Sequence, residues 1–134
     1  MIRARKYMER ITKVTDKKAA KLKKCFKSLF KYQYVRFRDL SKIYKSKGWE
    51  FSFANDIFEK KAGCCVSEAC AFAFLAKECG YKNVYIAHDT SHSWVMINGL
   101  VYDPLFAESK KYTSNYAGGA EDGYRSNPKY KRYI

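Results

Sequence analysis

Apolar residues in the first quarter of the chain recur at helical spacing, with lysines between them. The apolar positions lie three or four residues apart: Ala19, Leu22, Phe26, Leu29 and Phe30. This spacing places them on one face of a helix and the lysines on the other. Thr15 and Asp16 precede the pattern and offer an N-cap. The pattern predicts an amphipathic helix over residues 16–31 with its basic face in water.

A second apolar stretch lacks this two-sided character. From Cys65 to Cys79 nearly every residue is small or apolar, and only four polar residues interrupt the run: Ser67, Glu68, Lys77 and Glu78. A helix that is apolar all round is a buried one. Gly63 breaks the preceding pattern, and Gly80 stands where a helix would end. The sequence therefore predicts a buried central helix that begins close to Cys65.

Two segments before this helix give weaker signals. Residues 32–37 alternate in part and contain aromatic and β-branched residues, so they are either extended or a continuation of the helical layer. Residues 54–60 are consistent with a short helix.

Three strand signals follow the central helix. Residues 83–88, 91–97 and 100–104 are rich in β-branched, aromatic and aliphatic residues. Asn98-Gly99 between the last two predicts a two-residue type I′ hairpin turn. Because the helices come first and the antiparallel strands later, the fold class expected is α+β.

The length of 134 residues suits one domain. Residues 1–108 form its predicted core, with a helical part over residues 1–48. Residues 109–134, rich in tyrosine and lysine, are interpreted as an extension of the same domain. This extension either wraps the core through its tyrosines or is partly mobile.

Charge is distributed unevenly along the chain. Of the net charge of +14, residues 1–48 contain 17 Lys and Arg against 3 Asp and Glu, whereas residues 49–108 contain 4 against 8. The simplest interpretation of the basic segment is a solvated helix face. Residues 1–48 could also bind an anionic polymer or surface. The absence of a nucleic-acid recognition motif argues against a nucleic-acid partner.

The five cysteines and two histidines do not have metal-ligand spacing. The sequence has no Cys-x-x-Cys pair, and an odd number of cysteines argues against a disulfide framework. We therefore expect no metal and no cofactor. No apolar run is as long as a membrane span. No secretory signal is visible, so the chain is cytoplasmic as written, or exported with a leader that is absent from it.

The hairpin brings two reactive residue types together. A two-residue loop at 98–99 pairs Ile97 with Leu100, and continuing the pairing places Trp94 opposite Asp103 and His92 opposite Leu105. Residues two apart share a face of a strand, so His92, Trp94 and Asp103 lie on one face. An imidazole and a carboxylate can bridge this diagonal.

Cys65 adds a nucleophile. The positive end of the helix dipole is expected to lower the pKa of a thiol at a helix N-terminus. The main-chain N–H of Cys65 is a predicted oxyanion donor; the sequence identifies no second one. Cys64, just outside the helix, is the alternative reactive thiol. Trp94 is a candidate lid on the imidazole or substrate contact, with core packing equally compatible, whereas His88 is expected at the surface.

These segments resemble the transglutaminase-like superfamily of papain-like cysteine proteins, bacterial type. Residues 63–69, Gly-Cys-Cys-Val-Ser-Glu-Ala, are similar to its Gly-x-Cys-x-x-x-Ala signature. His92-Ser93-Trp94 resembles its His-Ala-Trp, and Tyr102-Asp103-Pro104 its aromatic-Asp-Pro segment. The resemblance covers about residues 10–108 and keeps the family's order of cysteine, histidine and aspartate. Val66 differs from the tryptophan of cross-linking members.

The resemblance implies a papain-like core in which a cysteine-bearing helix packs on an antiparallel sheet bearing the histidine and aspartate. It implies a Cys65, His92 and Asp103 catalytic triad that acts on peptide or protein substrates. The first expectation is a cysteine peptidase or amidase acting on peptide or isopeptide bonds. The alternatives are a cross-linking acyltransferase and a non-catalytic basic binding scaffold.

Overall fold

The structure, a computed structural model, describes residues 1–40, 43–89, 92–109, 115–118 and 128–134. The helices in these ranges are α1 (Ile2–Ile11), α2 (Lys18–Ser28), α3 (Trp49–Asn55), α4 (Cys65–Glu78) and α5 (Pro104–Ser109). The strands are β1 (Gln33–Tyr34), β2 (Ala62–Gly63), β3 (Val84–His88), β4 (Ser93–Ile97), β5 (Leu100–Tyr102) and β6 (Tyr130–Tyr133). The chain is α+β, as predicted. No helix in the described ranges has the length and apolar character needed to cross a membrane.

Helix α4 lies at the centre of the fold. Every residue from Cys65 to Ala76 is buried, because α1, α2 and α3 pack around it together with strands β3 and β4. Phe72 shows the packing on both sides: its ring lies 5.1 Å from that of Phe26 and 5.5 Å from that of Tyr102. Gly80, with a φ of +105°, follows the end of the helix. The predicted buried helix is confirmed.

The main sheet has four antiparallel strands in the order β5-β4-β3-β6. Asn98 and Gly99 both have positive φ, and Ile97 pairs with Leu100, so the predicted hairpin and register are confirmed. One sheet face packs on α4 through five side chains: Val84, Ile86, Val95, Ile97 and Tyr102. The other face has a smaller buried cluster: Ala87, Trp94, Met96 and Val101.

The helical layer differs from the prediction at several ends. Helix α2 begins at Lys18 because Asp16 closes the preceding turn instead of capping the helix. Its carboxylate accepts the Lys13 N–H at 2.8 Å and pairs with Lys24 at 2.6 Å. A 3-10 turn (Leu29–Lys31) completes the predicted span. The helix expected over residues 54–60 is present, but it starts earlier, at Trp49, and ends in a π-helical turn (Asp56–Lys60).

Two differences concern the strands. The strand predicted over residues 100–104 ends at Tyr102, because Pro104 opens helix α5, a position that suits its missing N–H. Leu105 therefore does not continue the pairing opposite His92. In the C-terminal extension, β6 adds to the sheet beside β3, with Tyr85 opposite Tyr133. Ser91, predicted to start a strand, lies outside the described residues.

Of the two alternatives for residues 32–37, extended or helical, the structure shows the extended one. β1 pairs in parallel with β2, with Tyr34 opposite Gly63, and the Val35 N–H donates to the Gly63 carbonyl at 2.9 Å. Gly63 lies tightly against the first turn of α4. A Cβ added there would lie 2.4 Å from the Cβ of Ser67 and 2.6 Å from its hydroxyl. The start of α4 therefore depends on a residue without a side chain.

Gly63→Ala is expected to destabilise the fold by about 2 kcal/mol or more, because the start of α4 must shift to admit the methyl group. Gly99→Ala is the control. No atom lies within 4 Å of the place that its methyl group would take, although φ is +80°, so strain of about 1 kcal/mol is expected there. Urea unfolding of both variants measures the difference. Equal losses of stability would contradict the close approach at Gly63.

Candidate active site

The first turn of α4 is capped by a thiol. Cys64 is the extended N-cap residue, and its main-chain N–H donates to the Ser67 hydroxyl at 3.1 Å. In return, the Cys64 sulfur accepts the main-chain N–H of Ser67. This reciprocal pair is a capping box in which sulfur replaces the usual hydroxyl. Cys65 is then the first helical residue, 6% exposed, and Cys64 is 1% exposed.

His92 and Asp103 form the contact that the hairpin register predicted. The imidazole Nε2 lies 2.5 Å from Asp103 Oδ2, and the Asp103 side chain is fully buried. The other oxygen, Oδ1, accepts the Phe106 N–H at 3.2 Å, so Asp103 also caps helix α5. The same carboxylate thus joins the β4–β5 hairpin, the imidazole and the following helix.

The imidazole ring is held from both sides. Phe106 stacks on it with ring centroids 4.2 Å apart and planes at 11°, and Trp94 lies 6.1 Å away at 23°. The main chain of His92 is fixed by Asp89, whose carboxylate accepts the His92 N–H at 2.9 Å. Trp94 is fully buried in the smaller cluster of the sheet, so its position fits core packing as well as the predicted lid on the imidazole. Direct contact of Trp94 with a substrate stays a prediction.

Cys65 contacts strand β4, which begins directly after His92. Its sulfur accepts a hydrogen bond from the main chain of Ser93, and the charge of Asp103 is close enough to act on it. The start of α4 and the start of β4 therefore converge. The structure brings the three residues predicted from the sequence to one region of the fold; their catalytic roles stay predictions.

The two thiols differ in proton affinity. A hydrogen bond from Cys65, followed by main-chain and hydroxyl donors at the start of α4, lowers the pKa of Cys64. The hydrogen bond to Cys64 raises the pKa of Cys65, and burial and the charge of Cys64 add to this effect. The expected lowering at the helix N-terminus is thus found on Cys64 instead of Cys65. The largest cause is the hydrogen bond from Cys65, and the N-cap position adds main-chain N–H donors to the Cys64 sulfur.

Glu68 is a site residue that the sequence interpretation missed. It lies one turn after Cys65 on α4, is 4% exposed, and its Oε1 has no hydrogen-bond partner among the described residues. Burial raises the pKa of Glu68 to about 8, and the charges of Glu108, Asp103 and Cys64 act in the same direction. Its carboxyl is therefore protonated at neutral pH. The available signal was an acidic residue in the mostly apolar first part of the helix, well before the polar residues at its end.

His88 was wrongly expected at the surface. It is 3% exposed and lies between the rings of Tyr44 and Tyr130, with centroids 3.4 Å and 4.6 Å away. Burial lowers its pKa, so the neutral ring is favoured. The strand pattern alone could not show this, because both tyrosines come from distant segments.

Among the described residues, neither a group of metal ligands nor the cavity beside α1 forms part of this site. In the described ranges, no three His, Cys, Asp or Glu side chains are grouped to hold a metal ion. A cavity of about 500 Å³ lies between α1 and the π-helical turn, and none of the predicted site residues lines it. Its lining residues are Arg3, Lys6, Glu9, Arg10, Phe58 and Glu59. The converging thiols and imidazole, not this cavity, are the candidate site.

Comparison with protein-family models, curated proteins and solved structures finds no match to this chain. The interpretation of the site therefore rests on its own geometry and on the motif resemblance.

The buried carboxyl gives a prediction about stability. Because the pKa of Glu68 is raised from 4.5 to about 8, the folded chain keeps a proton that the unfolded chain releases in this range. Stability should therefore fall as the pH rises from about 5 to 8, by on the order of 2–4 kcal/mol, and level off above. Glu68→Gln should remove this decline. Urea unfolding at pH 5.5, 7 and 8.5 measures it.

The control for this experiment is Glu9→Gln, at an exposed position on α1. It makes the same carboxyl-to-amide change at a solvated position and should keep the pH dependence of the parent chain. A decline that persists unchanged in Glu68→Gln would show that other groups cause it.

Proposed function

We propose that this chain is a transglutaminase-like cysteine enzyme that hydrolyses amide bonds, as a peptidase or amidase acting on peptide or isopeptide bonds. The observation that supports this most strongly is the His92–Asp103 pair, 2.5 Å apart, together with the thiol of Cys65, which accepts a hydrogen bond from the main chain of the residue after His92. Those are the parts that thiol acyl chemistry requires: a nucleophile, a base and a group that orients the base.

The roles in the reaction follow from the contacts. Asp103 holds Nε2 of the imidazole, which leaves Nδ1 as the ring nitrogen to exchange a proton with Cys65. The Cys65 sulfur attacks the acyl carbon as its proton passes to His92. The main-chain N–H of Cys65 stabilises the oxyanion. The imidazolium then protonates the leaving amine, and a thioester on Cys65 remains.

The second half of the reaction releases the acyl group. His92 takes a proton from water, the resulting hydroxide attacks the thioester carbon, and the Cys65 sulfur leaves. A primary amine in place of water would give acyl transfer and cross-linking, the alternative activity. The difference depends on how far water is excluded from the thioester.

A thiol reactivity measurement tests the triad without a known substrate. Iodoacetamide alkylation, resolved for each cysteine by mass spectrometry between about pH 5 and 9, should label Cys65 in a manner that depends on His92. His92→Ala should slow this labelling at neutral pH by about tenfold or more, because the base is lost. Cys25 is the internal control, since it is fully buried and lies away from the site near Cys79. Labelling of Cys65 that is insensitive to His92→Ala would contradict the triad.

The thiol pair gives a separate prediction. Cys64→Ser keeps an N-cap acceptor but removes the neighbouring sulfur that raises the pKa of Cys65. The pH at which Cys65 alkylation is half-maximal should therefore fall by about one unit or more. Rapid labelling of Cys64 in the parent chain, with Cys65 unlabelled, would instead identify Cys64 as the reactive thiol.

A non-catalytic binding scaffold is the second candidate. Both site thiols are almost fully buried, while lysines such as Lys23 and Lys27 of α2 are exposed. Under this proposal residues 1–48 bind an anionic polymer or surface, and affinity falls steeply with salt. Two results together would favour the scaffold over the enzyme. Polyphosphate binding would be unchanged in Cys65→Ala, and thiol alkylation would not depend on His92.

A further inference from the structure

The chain that continues from β1 runs beside the start of α4. Tyr34 pairs with Gly63, and the Val35 N–H donates to the Gly63 carbonyl at 2.9 Å. Arg36 therefore follows directly alongside the residues that lead into Cys64 and Cys65. Its side chain is exposed.

Two arginines of this segment differ in how their charge is balanced. Arg38 pairs with both carboxylate oxygens of Asp56, one of them at 3.1 Å, and lies 4.7 Å above the ring of Phe53. Arg36 instead donates to the neutral hydroxyl of Tyr34 at 3.4 Å and has no carboxylate partner in the described part of the chain. Arg36 is thus a cation whose charge no carboxylate of the described residues neutralises.

The candidate nucleophile pair acts electrostatically on Arg36. The Tyr34 hydroxyl raises the pKa of Arg36 most, and the charges of Cys64 and Cys65 add to this effect. By contrast, the charge of Cys64 but not of Cys65 acts on Arg38. A guanidinium on the chain that pairs with Gly63, two residues before Cys65, can bind a planar anion on a molecule that has entered the site.

We propose that Arg36 is a specificity-determining residue, which binds a carboxylate of the substrate next to the acyl carbon that Cys65 attacks. This rests on the proposed function. The substrate class would be peptides with a carboxylate adjacent to the cleaved bond, either an acidic side chain or a C-terminal carboxylate. Guanidinium and carboxylate form two parallel hydrogen bonds, so position as well as charge would be selected.

Two alkylating reagents of the same shape test this without a known substrate. Iodoacetate is anionic and iodoacetamide is neutral, and both alkylate the same thiolate. The ratio of their rates at Cys65 cancels the thiolate fraction, so it reports attraction of the carboxylate alone. Arg36→Gln should lower the iodoacetate-to-iodoacetamide ratio by about three- to tenfold at low ionic strength. Arg36→Lys should keep most of the ratio, because it keeps the charge.

Lys23→Gln is the matched control, since it removes one exposed positive charge from α2 and should leave the ratio unchanged. Fast, His92-dependent alkylation with a ratio that Arg36→Gln does not alter would overturn this inference alone. Equal losses in Lys23→Gln and Arg36→Gln would also overturn it, since they would show a general charge effect. Slow alkylation of Cys65 by both reagents would overturn the proposed function and this inference with it.

A second pair of reagents separates the two carboxylate sources. Chloroacetyl-aspartic acid amide presents a side-chain carboxylate, and chloroacetyl-glycine presents a terminal one; chloroacetyl-asparagine amide and chloroacetyl-glycine amide are their neutral counterparts. For each carboxylate reagent, the rate of Cys65 alkylation is compared with that of its neutral counterpart. The site selects the kind of carboxylate whose faster alkylation is lost in Arg36→Gln. An advantage that survives Arg36→Gln for both sources would contradict a role for this residue.

Discussion

The burial of the N-terminus of α4 is the constraint on which the candidate site depends. A helix begins with main-chain N–H groups that have no partner within it, and in the interior water cannot satisfy them. Here the sulfur of Cys64 and the hydroxyl of Ser67 complete a reciprocal cap. Gly63 lets the chain approach closely enough for this cap to form, since any side chain there would collide with Ser67. The sulfurs of the candidate site are therefore placed by the same requirement that lets the helix be buried.

This constraint also organises the charges. A sulfur that receives N–H donors is stabilised as a thiolate, and the adjacent thiol then holds its proton more tightly. The negative charge at the start of α4 and the Asp103 carboxylate in turn favour a protonated Glu68. Arg36 and Arg38 come from the basic first part of the chain and lie beside this acidic region. The basic first part of the chain thus places positive charges near the negative charges of the site.

The parts of the structure that follow local rules could be predicted from the sequence. The all-apolar run indicated α4, and Asn98-Gly99 indicated the hairpin and its register. Once the register was known, the approach of His92 to Asp103 followed from strand geometry alone. Both signals are strong because each depends on a short local pattern. Asn-Gly favours two residues at positive φ in the turn, and apolar residues on every side of a helix require its burial.

What could not be predicted depends on contacts between distant segments. His88 is buried by Tyr44 and Tyr130, which lie far from it on either side in the chain, and no local pattern reports this. Asp103 was interpreted through the strand, yet it also caps α5, because Pro104 starts a helix that competes with the strand signal. The burial of Glu68 could be inferred from its apolar neighbours, but its lack of a partner for Oε1 among the described residues required the packed structure.

The enclosure of the site bears on which acyl chemistry it favours. The imidazole lies between Phe106 and Trp94, the Asp103 behind it is fully buried, and Cys65 is 6% exposed. Water has little access to the nucleophile until a substrate or a small opening of the chain admits it. Hydrolysis needs a water beside Nδ1 after the amine has left, whereas transfer needs an amine in the same place. The departing amine leaves the position beside Nδ1 empty while the acyl group is still bound to the sulfur. A water molecule enters this small space more readily than a second protein chain does. Under the proposed function, the small size of water therefore favours hydrolysis over cross-linking of two proteins, although the exclusion of water before the amine leaves acts in the opposite direction.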